Sequence, residues 1–247
     1  TNGSNSNSVD CDANGEIDTC EIESDPSLDC DNNGTLDSCE LTGEQTIEET
    51  KLLASDGGDI DHFGERVSIS SDGTTAIVGA RYDDANGTTS GSAYIYKLVG
   101  GAWQETKLIA SNGGSYDYFG ESVSISSDGT TALIGANRAN STGSAYIYEL
   151  VGGTWQETIL MASDGSSGDI FGAVVSISED GTTAIIGAPE DDDNGNNSGS
   201  VYIYSIVGGA WQETKLLPSD GAQIDYFGTS VSISSDGTTA IVGARYD

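Results

Sequence analysis

Two stretches near the N terminus carry oxygen side chains at the spacing of a calcium-binding loop. They read DCDANGEIDTCE over residues 10–21 and DCDNNGTLDSCE over residues 29–40. In each, glycine at position 6 allows a sharp turn, so that the oxygens before and after it converge on one cation. Position 7 would bind through its backbone carbonyl, and the glutamate at position 12 through two oxygens. We therefore predict two calcium sites, with ligands Asp10, Asp12, Asn14, Glu16, Asp18 and Glu21 in the first and Asp29, Asp31, Asn33, Thr35, Asp37 and Glu40 in the second.

All four cysteines lie in the same short region, at positions 11, 20, 30 and 39. An even number of cysteines, regularly spaced in a segment with almost no apolar core, favours two disulfides and an oxidising compartment. Three connectivities remain open. Zinc is the competing reading, but no histidine is near and the surrounding oxygens are hard ligands, which suit calcium better.

The segments that flank the two loops are too short for the helices of an EF-hand. The tandem pattern instead resembles the thrombospondin type 3 and dockerin-like calcium repeats of secreted proteins. This resemblance implies a calcium-binding extracellular module over residues 10–41. Residues 1–9, rich in Ser, Asn and Gly, are predicted to be a flexible linker.

The rest of the chain, residues 44–247, is organised as a repeat. The turn Asp-Gly-Thr-Thr begins at Asp72, Asp128, Asp180 and Asp236, so the steps are 56, 52 and 56 residues. Each full unit contains four strand-like runs; in the first unit these are 65–71, 74–80, 92–98 and 103–110. Four short antiparallel strands per repeat predict an all-β, β-propeller-type array of blades, three full and one split or incomplete. A sandwich does not predict this period, and a solenoid would have shorter turns of chain.

Each unit also carries a Phe-Gly pair, a Gly-Ala pair and a Gly-Ser-x-Tyr segment, which in the first unit start at Phe63, Gly79 and Gly91. The pattern resembles the FG-GAP repeat of integrin α-chain propellers and bacterial surface proteins, over about residues 45–247. On physical grounds, we expect the phenylalanine to fill the space between adjacent blades and the glycines to let backbones pass closely. Residues 45–56 resemble the fourth strand of a unit, so we expect a leading strand there.

Two loops in each unit carry carboxylates. A polar pair precedes each Phe-Gly, and we expect these side chains to cap turns: Asp56 and Asp61, Asn112 and Asp117, Asp164 and Asp169, Asp220 and Asp225. The loop between the second and third strands offers Asp83, Asp84 and Asn86 in the first unit and Asp191 and Asp193 in the third, but no carboxylate in the second. Integrin-like propellers bind calcium in some blades through Asp-x-Asp-x-Asp-Gly, an alternation that these loops lack. Both a cation site and an open acidic turn remain possible readings here.

The sequence offers little material for catalysis. The only histidine is His62, which the other units replace by Tyr118, Ile170 and Tyr226, and the cysteines are expected to be oxidised. A formal charge of -32, from 40 acidic and 8 basic residues, argues against nucleic acid or an anionic membrane as a partner. No run of 18 apolar residues predicts insertion into a membrane.

The sequence ends inside the loop that should lead to a third strand. We expect a longer polypeptide whose further repeats complete a propeller; the alternative is that open blade edges pair between chains. The function predicted is a secreted or cell-surface, calcium-stabilised, non-catalytic adhesion or binding scaffold for a protein or glycan. The alternative is a structural subunit of an extracellular filament that self-associates head to tail.

Overall fold

The computed structural model describes residues 49–247. The tandem loops, their cysteines and the linker before them lie outside the described residues, so the calcium and disulfide predictions made there stay predictions. The chain divides into two units, and the repeats form the one that spans Leu53–Asp247. Within residues 49–247, no helix is long and apolar enough to cross a membrane.

The repeat unit contains three antiparallel four-stranded sheets and one two-stranded sheet, each with its strands in chain order. We name the four-stranded sheets blades 1, 2 and 3 and the two-stranded sheet the partial blade. Blade 1 contains β1 (Arg66–Ile69), β2 (Thr75–Ala80), β3 (Ser92–Val99) and β4 (Ala102–Leu108); blade 2 contains β5 (Ser122–Ile125), β6 (Thr131–Ala136), β7 (Ser144–Val151) and β8 (Thr154–Leu160); blade 3 contains β9 (Val174–Ile177), β10 (Thr183–Ala188), β11 (Ser200–Val207) and β12 (Ala210–Leu216); the partial blade contains β13 (Ser230–Ile233) and β14 (Ala240–Gly243). The all-β, blade-type architecture predicted from the repeat is confirmed.

The Asp-Gly-Thr-Thr turn joins the first two strands of each blade, as predicted. In blade 1, Ser70 Oγ donates to Asp72 Oδ1 at 2.6 Å, and the Thr74 amide donates to the same oxygen at 2.9 Å. Gly73 has φ of 68°, a left-handed conformation that glycine adopts without strain. Because Ser70 Oγ also accepts the Thr75 amide, the first strand ends at Ile69, two residues earlier than the sequence pattern indicated.

Burial differs from the predicted one-sided pattern in two places. The third strand is buried on both faces: Ala93, Tyr94, Ile95 and Tyr96 are all at most 3% exposed, because neighbouring blades or loops cover each side. In β1, by contrast, Val67 and Ile69 are 66% and 59% exposed. Their counterparts in blade 3 are 7% exposed because blade 2 packs against them; no described blade covers blade 1 on that side.

Adjacent blades pack face to face around the phenylalanines of the Phe-Gly pairs. Phe171 is fully buried and presents an edge-on contact to Tyr202 of blade 3, with ring centroids 5.2 Å apart. Leu133 and Ile147 of blade 2 lie in the same apolar cluster. Phe119 repeats this arrangement between blades 1 and 2. The predicted place of the phenylalanine between blades is confirmed.

Backbone contacts bring the blades too close for side chains at certain positions. Gly91 and Phe119 form a parallel bridge in which the Phe119 amide donates to Ser90 O at 2.9 Å. A Cβ on Gly91 would lie 2.1 Å from the Phe119 carbonyl oxygen, so only glycine fits. The bridge recurs at Gly143–Phe171 and Gly199–Phe227. The glycines therefore set the distance between blades, as the sequence pattern predicted.

The expected leading strand is wrong for the described part of its range. Residues 49–56 contain no strand, because no third strand of the same unit lies among the described residues to pair with them. Leu53, the first residue of the repeat unit, instead contacts blade 1 through its carbonyl oxygen, which accepts from Tyr96 Oη at 2.9 Å.

Candidate functional site

A cluster of charged and phenolic groups joins the segment before Phe63 to the β2–β3 loop of blade 1. Lys107 Nζ lies 2.6 Å from Asp56 Oδ2 and 2.7 Å from Asp83 Oδ2. Tyr94 Oη donates to Asp83 Oδ2 at 2.7 Å and to Asp56 Oδ1 at 2.9 Å. The strand register positions the cation, because Tyr94 and Lys107 are partners on β3 and β4. Asp83 is 5% exposed, so its charge is compensated by a buried ion pair rather than by water.

Blade 3 carries the same cluster with one more carboxylate. Lys215 Nζ lies 2.8 Å from Asp164 Oδ2, 2.9 Å from Asp191 Oδ2 and 2.7 Å from Asp193 Oδ2. Tyr202 Oη donates to Asp164 and to Asp191. An ammonium has three N–H donors, and three carboxylates surround it here. We call these two groups the lysine clusters.

Blade 2 replaces every charged member of the cluster at once. The positions of Asp56, Asp83 and Lys107 are taken by Asn112, Ala139 and Ile159. Only the tyrosine is kept, and Tyr146 Oη lies 2.9 Å from Asn112 Oδ1. Blade 2 therefore shows that the same packing exists in a neutral form.

In blade 1, electrostatics fix the charges of Lys107, Asp56 and Tyr94 at neutral pH. Burial lowers the pKa of Lys107, but its hydrogen bonds to Asp56 and Asp83 outweigh burial and raise the pKa above its ordinary value. The Lys107 hydrogen bond lowers the pKa of Asp56. Burial and the adjacent carboxylates raise the pKa of Tyr94 and hold the phenol neutral. Such a set does not exchange protons near pH 7; it joins a loop to a blade electrostatically.

A second polar contact, which the sequence analysis missed, joins each blade to the segment that precedes it. In blade 2, Tyr148 Oη donates to Ile109 O at 2.8 Å and to Glu157 Oε2, while the Ser111 amide donates to Glu157 Oε2 at 3.0 Å. The contact recurs in blades 1 and 3 with Glu105 and Glu213. A tyrosine and a glutamate nine residues apart in every unit were the available signal. After Leu108 the chain leaves blade 1, so that Ile109 and Ser111 make this contact with blade 2. For this reason β4 ends two residues before its predicted end.

A groove of about 600 Å³ lies between blades 1 and 2, at the ends of their third and fourth strands. One wall is formed by Lys97, Gln104 and Thr106 of blade 1, and the other by Leu150 and Trp155 of blade 2. Lys97, Gln104 and Thr106 are exposed, and Trp155 is half-buried. The groove therefore has the indole of Trp155 on one wall and the amide of Gln104, the hydroxyl of Thr106 and the ammonium of Lys97 on the other.

The same residue types recur one blade further on. The Trp-Gln-Glu-Thr sequence begins at Trp103, Trp155 and Trp211, and each copy lies on the fourth strand of a blade. Gln156 and Thr158 of blade 2 therefore occupy the positions of Gln104 and Thr106, with Trp211 of blade 3 at the position of Trp155. The Trp, Gln and Thr positions therefore recur from blade to blade, whereas Glu149 stands at the position of Lys97.

The family model described as "FG-GAP repeat" matches the chain four times, over residues 46–96, 103–148, 155–204 and 211–247. These matches cover most of the sequence. The chain belongs to the FG-GAP repeat family. The resemblance stated from the Phe-Gly and Gly-Ala marks is confirmed.

Solved structures resemble this FG-GAP chain at low identity. The periplasmic gluconolactonase PpgL of Pseudomonas aeruginosa is 17% identical with a TM-score of 0.45, covering 73% of this chain and 50% of that one. U3-55K is 14% identical with a TM-score of 0.44, covering 76% and 54%. Sqt1 from Chaetomium thermophilum is 15% identical with a TM-score of 0.45, covering 75% and 42%. The FG-GAP chain spans about half the length of these structures.

The carboxylates before each Phe-Gly of the FG-GAP repeats divide into two roles. The second member of each pair caps a turn as predicted: Asp117 Oδ2 accepts the Gly114 amide at 2.6 Å, and Asp61, Asp169 and Asp225 do the same in their units. The first member does not. Asp56 and Asp164 instead join the lysine clusters, because a lysine on the fourth strand lies within reach.

The β2–β3 loop residues proposed from sequence as cation ligands are engaged within the protein. Asp83 binds Lys107, Asp84 Oδ1 accepts the Thr89 amide at 2.6 Å, and Asn86 Nδ2 donates to Ala110 O at 2.8 Å. In blade 3, Asp191 and Asp193 both bind Lys215. Across residues 49–247, no group of three or more His, Cys, Asp or Glu side chains has the arrangement of a metal site. Asp83, Asp191 and Asp193 are thus each paired with a lysine, and the cation sites considered for these loops from the sequence stay predictions.

His62 lies at the surface within hydrogen-bonding distance of Glu65. Its Nδ1 is 3.0 Å from Glu65 Oε2, and its φ is 57°. Tyr118, Ile170 and Tyr226, at the same position of the other units, share this left-handed backbone. The conformation belongs to the repeat and does not single out His62.

Proposed function

We propose that this FG-GAP chain is a secreted or cell-surface, non-catalytic binding scaffold that takes a neutral glycan in the grooves between its blades. The observation that carries the proposal is the groove of about 600 Å³ in which Trp155 faces Gln104 and Thr106. Sugar rings present polarised C–H groups that stack on an electron-rich indole face, while their hydroxyls bond to amides and hydroxyl side chains. The groove offers both kinds of contact.

Size and charge favour this occupant over others. The groove volume falls in the range of small-ligand sites, whereas a stable protein partner usually buries about 800 Å² on each side. The net charge of -32 disfavours acidic glycans and nucleic acids but leaves a neutral saccharide unaffected. Recurrence of the Trp, Gln and Thr positions in the next blade suits a polymer of repeating units, whose binding gains from several weak sites.

Catalysis has little support in the described residues. The carboxylates of the lysine clusters are neutralised by ammonium groups, and the one histidine pairs with Glu65. Because the lysine clusters each join a loop to a blade, we assign them to the scaffold. A non-catalytic role is therefore the proposal.

In this proposal, the two calcium sites lie in the N-terminal module, residues 10–41. The ligand spacing from Asp10 to Glu21 and from Asp29 to Glu40 supports two sites, and the cysteines support an oxidising, extracellular setting. Isothermal titration of the chelated protein with calcium tests this part. We expect two equivalents to bind, with loss of one on Asp10→Ala combined with Glu21→Ala; absence of binding would exclude the metal assignment.

The glycan proposal is tested by titrating neutral oligosaccharides, such as hexamers of glucose, mannose and N-acetylglucosamine, while tryptophan fluorescence is recorded. Trp155→Ala is expected to weaken binding at least about tenfold, in line with loss of one stacking contact. Trp103→Ala is the matched control, since Trp103 lies on the face of blade 1 that no described blade covers. Gln104→Ala, at an exposed position, tests the opposite wall without disturbing the core. Equal affinities for wild type, Trp155→Ala and Gln104→Ala would contradict the proposal.

An alternative function, a filament subunit, is favoured by apolar side chains exposed at both ends of the blade array. Val67 is 66% exposed on blade 1 and Ile241 is 73% exposed on the partial blade, whereas Ile77, the counterpart of Ile241 in blade 1, is fully buried. A second copy stacked head to tail would cover both surfaces. Sedimentation and electron microscopy test this alternative. It requires concentration-dependent polymers that Ile241→Lys abolishes, and a monomer at high concentration would exclude it.

A further inference from the structure

We propose that Lys107 and Lys215 are the resident cations of the carboxylate clusters that join the segment before a Phe-Gly pair to the loop between the second and third strands, so that these loops take no calcium and depend on lysine instead. The sequence left both a cation site and an open acidic turn possible for the β2–β3 loops, and the inference decides against the cation site. It does not depend on the glycan proposal: Lys107 also lines the groove, but the inference concerns its ion pairs with Asp56 and Asp83.

The first argument is the position of the ammonium. Lys215 Nζ lies between 2.7 and 2.9 Å from one oxygen of each of Asp164, Asp191 and Asp193. These are distances of charge-assisted N–H···O bonds, whereas calcium binds oxygen at about 2.3–2.6 Å. A divalent ion at the same point would collide with Nζ, and a divalent ion beside it would be repelled by its charge.

The second argument is the number of oxygens that remain. Calcium requires six to eight oxygen ligands. In blade 3, Asp191 Oδ1 accepts the Asp193 amide at 3.0 Å, and Asp192 Oδ1 accepts the Asn197 amide at 2.7 Å. In blade 1, the position of Asp193 is held by Ala85, so that only two carboxylates face Lys107. The loops therefore lack the ligands for an ion, but they satisfy an ammonium.

The third argument comes from blade 2, where the lysine and its two carboxylate partners are absent together. Ile159, Ala139 and Asn112 stand at their positions, and the strands around them keep the same register. A carboxylate at the position of Asp83 or Asp191, kept without its lysine, would be buried without a cation, which is strongly unfavourable. Joint replacement is the pattern expected if the lysine neutralises these carboxylates.

Hydrogen exchange of the full chain, read by mass spectrometry for each segment, tests the proposal. Wild-type exchange across residues 190–199 should be the same in excess calcium and in EDTA. Lys215→Ile should speed exchange there by about tenfold or more, because Asp191 is 2% exposed and loses its cation. The corresponding loop of blade 2, around Ala139, is the internal control and should not change.

A combined variant separates the charge from the packing. Lys215→Ile with Asp164→Asn, Asp191→Ala and Asp193→Ala reproduces the neutral set found in blade 2, and exchange over 190–199 should return to within about threefold of wild type. Protection of wild-type 190–199 by calcium would overturn the proposal, even if the single variant failed to fold. Failure of the combined variant to regain protection, with Lys215→Ile folded, would also overturn it.

Discussion

Gly79 of blade 1 lies directly against Gly120 at the start of blade 2: a Cβ placed on Gly79 would be 2.2 Å from the Gly120 carbonyl oxygen. The Gly120 amide is itself bonded to Gly135 O at 3.0 Å, so the backbone cannot easily move away. The two glycines thus fix how closely one blade approaches the next. Gly135 with Gly172, and Gly187 with Gly228, repeat the contact.

Gly79→Ala is therefore expected to lower the free energy of unfolding by about 2–3 kcal/mol, because a methyl group enters a filled space between backbones. Urea denaturation measures the change. Gly114→Ala is the matched control: its added Cβ would meet Asp117 no closer than 3.6 Å, and a change within about 0.5 kcal/mol is expected. Equal losses in both variants would refute the assignment of Gly79 to blade spacing.

Replacing the phenylalanine of a Phe-Gly pair should lower the free energy of unfolding more where it lies between two described blades than where it lies on blade 1. Phe171 is fully buried, so Phe171→Ala should cost about 3–5 kcal/mol of unfolding free energy. Phe63 lies in the same motif but is only half-buried. Phe63→Ala should therefore be clearly milder, and a loss as large as that of Phe171→Ala would contradict this packing account.

The four Asp-Gly-Thr-Thr turns predict a loss of stability in acid. Hydrogen bonds from Ser178 and from Thr182 lower the pKa of Asp180, and the equivalent bonds lower the pKa of Asp236 to about 2. Since the folded-state pKa is depressed, the contribution of each aspartate is present above its ordinary value near 3.8 and disappears as the pH falls through the folded-state value.

Melting temperature recorded from pH 5 to pH 2 tests this sign. Asp180→Asn removes one titrating group whose proton uptake favours the unfolded chain, so the variant should lose less stability across this interval than wild type, although it starts lower. Parallel curves for the two proteins would show that the turn does not contribute to acid sensitivity.

The tyrosine contact between a blade and its preceding segment gives a further prediction. Tyr148→Phe removes an O–H that donates to Ile109 O at 2.8 Å and to Glu157, and we expect a loss of about 1–2 kcal/mol. The control is Tyr116→Phe, because Tyr116 is 57% exposed. The unfolding free energies from urea titrations compare the two, and indistinguishable values would remove this contact from the account of stability.

Local patterns in the sequence were enough for the blades but not for the contacts between them. The Asp-Gly-Thr-Thr turns and the alternating runs predicted four strands per unit because both signals depend on neighbours in the chain. The exposure of Val67 could not be predicted in this way, since it depends on whether a blade lies in front of β1. The predicted leading strand is absent over residues 49–56 for the same reason. A strand must pair with a neighbouring strand, and its own sequence does not show whether that neighbour is present.

The candidate site shows the same division. Sequence singled out Asp83 and Asp191 as carboxylates held in a loop, and both are buried there. Their partners Lys107 and Lys215 come from a strand 24 residues further on, and nothing in the loop composition indicates that a lysine will lie against it. The nine-residue spacing of Tyr148 and Glu157, by contrast, is visible in the sequence, although its meaning depends on a carbonyl from the preceding segment.

The sequence alone determined the repeat, the all-β class and the FG-GAP family, because turn residues, strand alternation and glycine positions act through local backbone geometry. Only the tertiary structure decided which charges meet. From the sequence alone, a carboxylate in a loop could pair with an ammonium or bind a metal ion. The group that the fold places within about three ångströms of the carboxylate decides between the two. In blades 1 and 3 that group is a lysine, and in blade 2 an isoleucine stands in its place.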